Sequence, residues 1–307
     1  MITPQNGIFA LGAGSHSYLE FSNRAENVGH NAAEQLVRAV ANMRQPRSAT
    51  GGVNLVAGFR PELWADVTPH SMPPGLAGFN EALAGVEGFS MPATQHDLWL
   101  WIAAHTYDRV FDVTRDVINA LSPLATLVDE TEGWTYRENR DLTGFIDGTE
   151  NPSLANAPEV VLIPDGTPGA GGSIVLVQKW VHNAPAYEAL TVEEQERMMG
   201  RTKADSAELP EEVRGPQSHV SRTVIEENGQ ELPIFRRNTP FGTAGVHGTM
   251  FVGFSADRHR LDRMLQRMAG TEDGIRDALT RYATPLTGAY YFVPSVQALR
   301  AFADAEE

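Results

Sequence analysis

WLWIAAHTYDRVFDVTRDV, Trp99 to Val117, and MFVGFSADRHRLDRMLQRM, Met250 to Met268, follow one pattern: an apolar run, a polar break, then an amphipathic run of helical period. At a constant offset of 151 residues Arg109 matches Arg260, Val110 matches Leu261, Val113 matches Met264 and Val117 matches Met268. The offset is nearly half of the 307-residue chain. A duplication is therefore expected: an α+β protein of two fused ferredoxin-like β-α-β-β-α-β halves, with antiparallel sheets and peripheral helices. Residues 1–150 and 151–307 are the expected halves, joined through the Gly- and Pro-rich segment from Asn151 to Gly172.

The flanking sequence supplies the other elements. GIFALGAGSHSYLEF reads as a first strand, and NVGHNAAEQLVRAVANM places Val28, Ala32, Leu36, Val37 and Val40 on one helical stripe. GGVNLVAGF is a second strand, and DLWLWIAAH, apolar on both sides, a central third. The second half opens on the strand GGSIVLVQKWVHN and the helix TVEEQERMMG, where Thr191 can cap and Glu194 can reach back. A long polar stretch from Arg201 to Ser218 follows. Then come SHVSRTVI, a hairpin around Asn228-Gly229, the strand GTMFVGFSA, the helix DRHRLDRMLQRMAG and the aromatic strand GAYYFVP.

Composition removes several classes of function. A formal charge of −15, with the acids spread along the chain, argues against a nucleic-acid binder that neutralises phosphates. With no cysteine there is no disulfide, thiolate metal site, cysteine nucleophile or covalently attached c-type haem. The longest apolar run, Leu98 to Ala104, is far too short for a membrane span of about 20 residues. No signal pattern opens the chain, so the cytoplasm is the expected location. HExxH, GxSxG, the Walker pattern and GxGxxG are all missing.

What remains is a set of polar landmarks between glycines and prolines: GFIDGTENP, GRTKADSAEL, GPQSHVSRT and FRRNTPFGTAGVHGTMFVGF. Asp-Gly and Asn-Pro alone would suit any surface turn. Together the landmarks resemble the dye-decolourising peroxidases, haem proteins of two fused ferredoxin-like halves, and within them the B-type branch. GFIDGT carries the family's GxxDG signature in the N-terminal half. The resemblance implies that the C-terminal half binds a non-covalent haem b, with His219 of SHVSR as the iron's proximal ligand. It puts Asp147 on the opposite face, with Arg236 beside it and Asn238 close by. Arg237 is the rival to Arg236, and spacing favours the first arginine. Asp277 of GIRDALTRY resembles the acid that accepts the proximal imidazole proton; the other reading is a helix-surface acid. Arg201 and Lys203 are the candidates to pair with haem propionates. His247 is the next histidine to consider as ligand.

These residue types suit the chemistry. A carboxylate partner gives the ligand imidazolate character, which supports high-valent iron. A carboxylate such as Asp147 can shuttle the proton that peroxide loses and regains, and carboxylates still accept protons in mildly acid solution where an imidazole is already protonated. The dye-oxidising optimum is therefore expected below neutrality. A fixed guanidinium supplies positive charge where the O–O bond polarises. The implied function is reduction of hydrogen peroxide through a ferryl intermediate and oxidation of phenols, dyes or similar small aromatic reductants. The alternatives are haem deferrochelation and a non-catalytic haem store or carrier. Tyr107, Trp99, Trp101, Trp134, Trp180, Tyr290 and Tyr291 are candidate electron relays, although core packing is the common fate of such residues. A homo-oligomer is expected. Some family members enter encapsulin shells through a C-terminal tail; the chain ends in ALRAFADAEE without such a peptide, so packaging by that route is not expected.

Overall fold

Eight antiparallel strands close on themselves in the computed structural model, which describes residues 2–24, 29–43 and 52–304. The first four are β1 (Ser15–Asn23), β2 (Asn54–Phe59), β3 (Leu98–Ala104) and β4 (Ala125–Trp134). The second four are β5 (Ser173–His182), β6 (Thr239–Gly242), β7 (His247–Ser255) and β8 (Ala289–Val293). Their hydrogen-bonded order is β4-β1-β3-β2-β8-β5-β7-β6. Phe59 pairs with Phe292 at one junction and Gly133 with Phe241 at the other, which completes the ring. Each set of four has the same internal order, with its fourth strand beside its first, then its third and its second.

Side chains that alternate along these strands face either the barrel interior or the helices outside. All seven residues of β3 are buried because both its faces are covered. Inside the ring Tyr18, Trp99, Trp101, Phe254 and Tyr291 pack with valines of β2, β5 and β7. The interior is filled, so any sizeable ligand has to bind outside it. Tyr291 donates its hydroxyl proton to Glu20 Oε1 at 2.5 Å, and burial pushes the Glu20 carboxyl up to about 7 against that hydrogen bond. A raised acid contributes stability below its unfolded value of 4.5 and loses it as pH rises through 7. The urea midpoint should thus fall between pH 5 and 8 in the wild type and be flatter across that range in Glu20→Gln, as read by circular dichroism.

The helices follow the expected stripes. Helix α1 (His30–Ala41) buries Ala32, Leu36, Val37 and Val40; Val28 lies outside the described residues. Helix α2 (Tyr107–Leu121) buries Val110 and Val117, and its counterpart α5 (Arg258–Ala269) buries Leu261, Met264 and Met268. Between them, α3 (Val192–Met199) starts with the expected capping box of Thr191 and Glu194. The turn at Asn228 and Gly229 has both residues at positive φ, 53° and 75°, and joins the short strands Glu226–Glu227 and Gln230–Glu231.

One reading changes and two elements are new. The first strand starts only at Ser15, because residues Asn6–Ile8 form a 3-10 turn. SHVSRTVI begins as a one-turn helix, α4 (His219–Thr223), capped by the Ser218 hydroxyl. Strand β4, ATLVDETEGW, was hidden by its acids: its outer face is exposed, and Asp129 is paired with Lys179 Nζ at 2.7 Å. Among the described residues no helix is long and apolar enough to cross a membrane.

Candidate functional site

Along β5 the sequence Ile174, Leu176, Gln178, Trp180, His182 turns from apolar to polar on one face. That face, with Thr249 and Phe251 of β7, forms one wall of a cavity outside the barrel. Helices α4 and α5 supply the facing wall through His219, Val220, Met264 and Met268. The loop from Asp141 to Glu150, the strand residue Arg236 and Asn238 two residues on add to the lining. About 1110 Å³ of the space within is free of atoms, the open mouth included.

On the helical wall, His219 Nδ1 lies 2.7 Å from Asp277 Oδ2. Asp277 is completely buried, and its other oxygen accepts the Leu279 N–H at 2.9 Å, so the carboxylate is fixed in place. It is therefore no helix-surface acid. An imidazole that donates from Nδ1 presents a lone pair at Nε2. Among the described residues nothing hydrogen-bonds His219 Nε2, and the ring lines the cavity.

On the loop side stands the carboxylate of Asp147. Its backbone N–H donates to Asn139 O at 2.9 Å, and its carbonyl accepts from Asn139 Nδ2 at 3.1 Å. Asn238 Nδ2 approaches Asp147 Oδ1 at 3.4 Å while Asn238 Oδ1 accepts the Val252 N–H, which fixes which end of the amide faces the acid. Gly144 and Gly148, at φ 91° and 79°, bracket this turn; a Cβ at Gly144 would lie 2.6 Å from Lys203 Cε. Asn151 of the same motif holds both peptide groups of Arg236, accepting its N–H and donating to its C=O, each at 2.9 Å. The extended backbone at 235–237 then points alternate side chains to opposite faces. Arg236 lines the cavity, and no hydrogen bond or ion pair occupies its guanidinium among the described residues. Arg237 turns the other way, donates to Ile8 O at 2.6 Å and sits 4.9 Å over the Trp101 ring.

His219, backed by the buried Asp277, lines one cavity with Asp147, Asn238 and Arg236, and comparisons with known proteins place the chain in a family. Residues 20–135 match the family model "Dyp-type peroxidase, N-terminal", and residues 138–298 match "Dyp-type peroxidase, C-terminal". The chain belongs to the Dyp-type peroxidase family. A curated dye-decolorizing peroxidase of Brevibacterium linens is 37% identical over 254 residues, covering 81% of this chain and 69% of its own. A dye-decolorizing protein from V. cholerae superposes with a TM-score of 0.86 at 34% identity, over 97% of this chain and 99% of that one. A variant of DypB from Rhodococcus jostii RHA1 in complex with heme gives a TM-score of 0.87 at 33% identity, over 97% and 98% of the two chains.

Dyp-type peroxidases use haem, and the donor set here suits one. Among the described residues His219 Nε2 is free to bind a metal, Phe145, Phe251, Met268 and Leu279 offer an apolar bed, and Arg201 carries a buried Nε without a partner. The rest of the Arg201 guanidinium is held by Glu150 and by Ser206 O. Lys203, the other propionate candidate, is drawn away: its Nζ donates to Gln195 Oε1 at 2.6 Å and it does not line the cavity. Nor does His247, which lies at the barrel's edge. The second histidine in the wall is His182, which burial lowers to about 4. Of the aromatic relay candidates, Trp180 lines the cavity, Tyr290 belongs to the outer core and Tyr107 is half-exposed.

Another wall carboxylate, Asp141, was missed by sequence reasoning. Its signal was position alone, six residues before Asp147 in a run of turn formers. Burial pushes the Asp141 carboxyl up to about 6, and the charge of Asp147 adds to this against hydrogen bonds from Thr143. Asp141 thus becomes negative as pH rises through about 6, adding a like charge beside Asp147. The KM for a sulfonated dye should climb across pH 6 while that for a neutral phenol changes little, and Asp141→Asn should abolish the difference. Steady-state kinetics from pH 4.5 to 7.5 with both donors checks this.

Proposed function

We propose that this protein reduces hydrogen peroxide at a haem b held through His219 and oxidises phenols, dyes and similar one-electron aromatic donors. The observation that carries the proposal is the disposition of the cavity walls, with His219 and its buried Asp277 on one side and Asp147, Asn238 and Arg236 on the other. Bound haem would supply the iron that takes peroxide oxygen and stores oxidising equivalents. This chain's residues do the rest. Asp277 orients the His219 ring and draws its Nδ1 proton, enriching the electron density of the opposite nitrogen. Asp147 takes a proton from peroxide and returns it to the departing oxygen, with Asn238 fixing the carboxylate during the exchange. Arg236 puts an unpaired positive charge where the O–O bond polarises. Arg201 holds a propionate at the cavity edge.

The common strand order of residues 1–150 and 151–307, together with the matched helices α2 and α5, supports a duplication of ferredoxin-like halves. Peroxidase chemistry is favoured over iron removal because curated relatives at 37% identity carry the peroxidase name. Haem-loaded protein supplied with peroxide and a phenol or an anthraquinone dye should give turnover without release of iron-free porphyrin. Porphyrin fluorescence appearing in place of oxidised donor would support deferrochelation. Replacing Asp277 by Asn leaves a neutral amide opposite Nδ1, so Asp277→Asn should retain haem and raise the Fe(III)/Fe(II) potential. Spectroelectrochemistry reads this directly, and an unaltered potential would remove Asp277 from its assigned role.

A further inference from the structure

His219 stands at the start of a five-residue helix, α4, which one turn of backbone hydrogen bonds cannot hold in place alone. The third residue after it, Arg222, is 1% exposed and is among the largest fully buried side chains of the protein. Its guanidinium reaches two other segments at once. Nε and Nη2 donate to Arg267 O, in the last turn of α5, at 3.0 and 2.8 Å. Nη1 and Nη2 donate to the two carboxylate oxygens of Asp273 at 2.7 and 2.8 Å. Arg267 returns the contact by donating from Nη2 to Ser221 O at 2.7 Å.

Asp273 lies four residues before Asp277 in the turn that leaves α5, and its Oδ1 also accepts the Ile275 N–H at 3.0 Å. Asp277 itself is tied back to α5 through its N–H on Met268 O at 3.0 Å. One buried cation therefore joins the helix that carries His219 to the turn that carries Asp277. A buried charge stripped of water is costly unless its donors are satisfied, and here the cost is offset by a bidentate, charge-assisted pair plus two bonds to a carbonyl. The planar fork of arginine reaches both acceptors at fixed angles; a lysine ammonium cannot.

We infer that Arg222 is a positioning residue: with Asp273 and the Arg267 carbonyl it forms a clasp that sets the 2.7 Å contact between His219 and Asp277. The inference rests on His219 being the haem ligand and Asp277 its partner, and adds what determines their separation. Loosening the clasp lets α4 and the 270–277 turn drift apart, so the imidazole loses imidazolate character although neither member of the pair has changed.

The test uses haem-loaded full-length Arg222→Lys, Arg222→Met and Asp273→Asn. Asp273 is 42% exposed at its side chain, so Asp273→Asn tests the clasp even if an Arg222 variant fails to fold. The readouts are the Fe(III)/Fe(II) potential, the Fe–histidine stretching frequency of the ferrous protein, and haem transfer to an apo-globin acceptor. Each folded variant should show a raised potential and a lowered stretching frequency, in the direction of Asp277→Asn but smaller. Haem transfer should speed up by about tenfold, the low end of what loss of a supporting partner costs a metal site. Arg222→Lys should not rescue these values. Folded variants with wild-type potential and stretching frequency overturn the clasp, as does Asp273→Asn reading as wild type. His219→Ala separates the two claims: if it keeps full haem and an unchanged stretching frequency, the ligand assignment has failed rather than the clasp.

Discussion

His219→Ala should lose tight haem binding. Among the described residues, His219 alone in the cavity pairs an unengaged ring nitrogen with a buried carboxylate behind it. The apolar bed would still attract a porphyrin, but no bond from protein to iron would remain. Affinity should fall by more than about a hundredfold, the upper end of the cost of losing a group one step removed from the metal. Titrating apoprotein with hemin at the Soret band measures this, with Asp147→Ala as a control that binds normally. Retention of full haem with an unchanged spectrum would pass the ligand role to His182, the other histidine of the wall.

The second large effect concerns the opposite wall. Arg236→Leu should slow the reaction with peroxide by about a thousandfold, near the top of the range for removing one preorganised charge donor. Asp147→Ala should cost about a hundredfold or less, because an ordered water can take over part of a proton shuttle but not a fixed positive charge. Asn238 would remain to hold such a water. Stopped-flow rates with excess peroxide across a pH series rank the two. If Asp147→Ala is the more damaged, the carboxylate is the principal base and the charge secondary. If neither rate changes, the cavity has been given the wrong chemistry.

The elements written in simple periodicity could be read from the chain. α2, α5 and the all-apolar β3 repeat their buried positions so regularly that their places in the two halves could be anticipated, and Asn228-Gly229 specified its hairpin. β4 could not be seen because Glu130 and Glu132 are exposed and the half-buried Asp129 owes its place to Lys179, 50 residues away. The split between Arg236 and Arg237 depends on strand alternation, and the strand there is too short to announce itself. Asn151 looked like a turn former, and its clamp on Arg236 spans 85 residues of sequence. Pairings at such distance leave no local trace, which is also why Asp141 and the Arg222 clasp became legible only in three dimensions.

Haem-loaded wild-type protein is mixed with one equivalent of hydrogen peroxide and its absorption spectrum followed. If the protein is a peroxidase, a new oxidised spectrum forms without loss of Soret intensity and returns to the resting one when a phenol is added. Progressive bleaching with no recovery on addition of the phenol would contradict this and leave a protein that only holds haem.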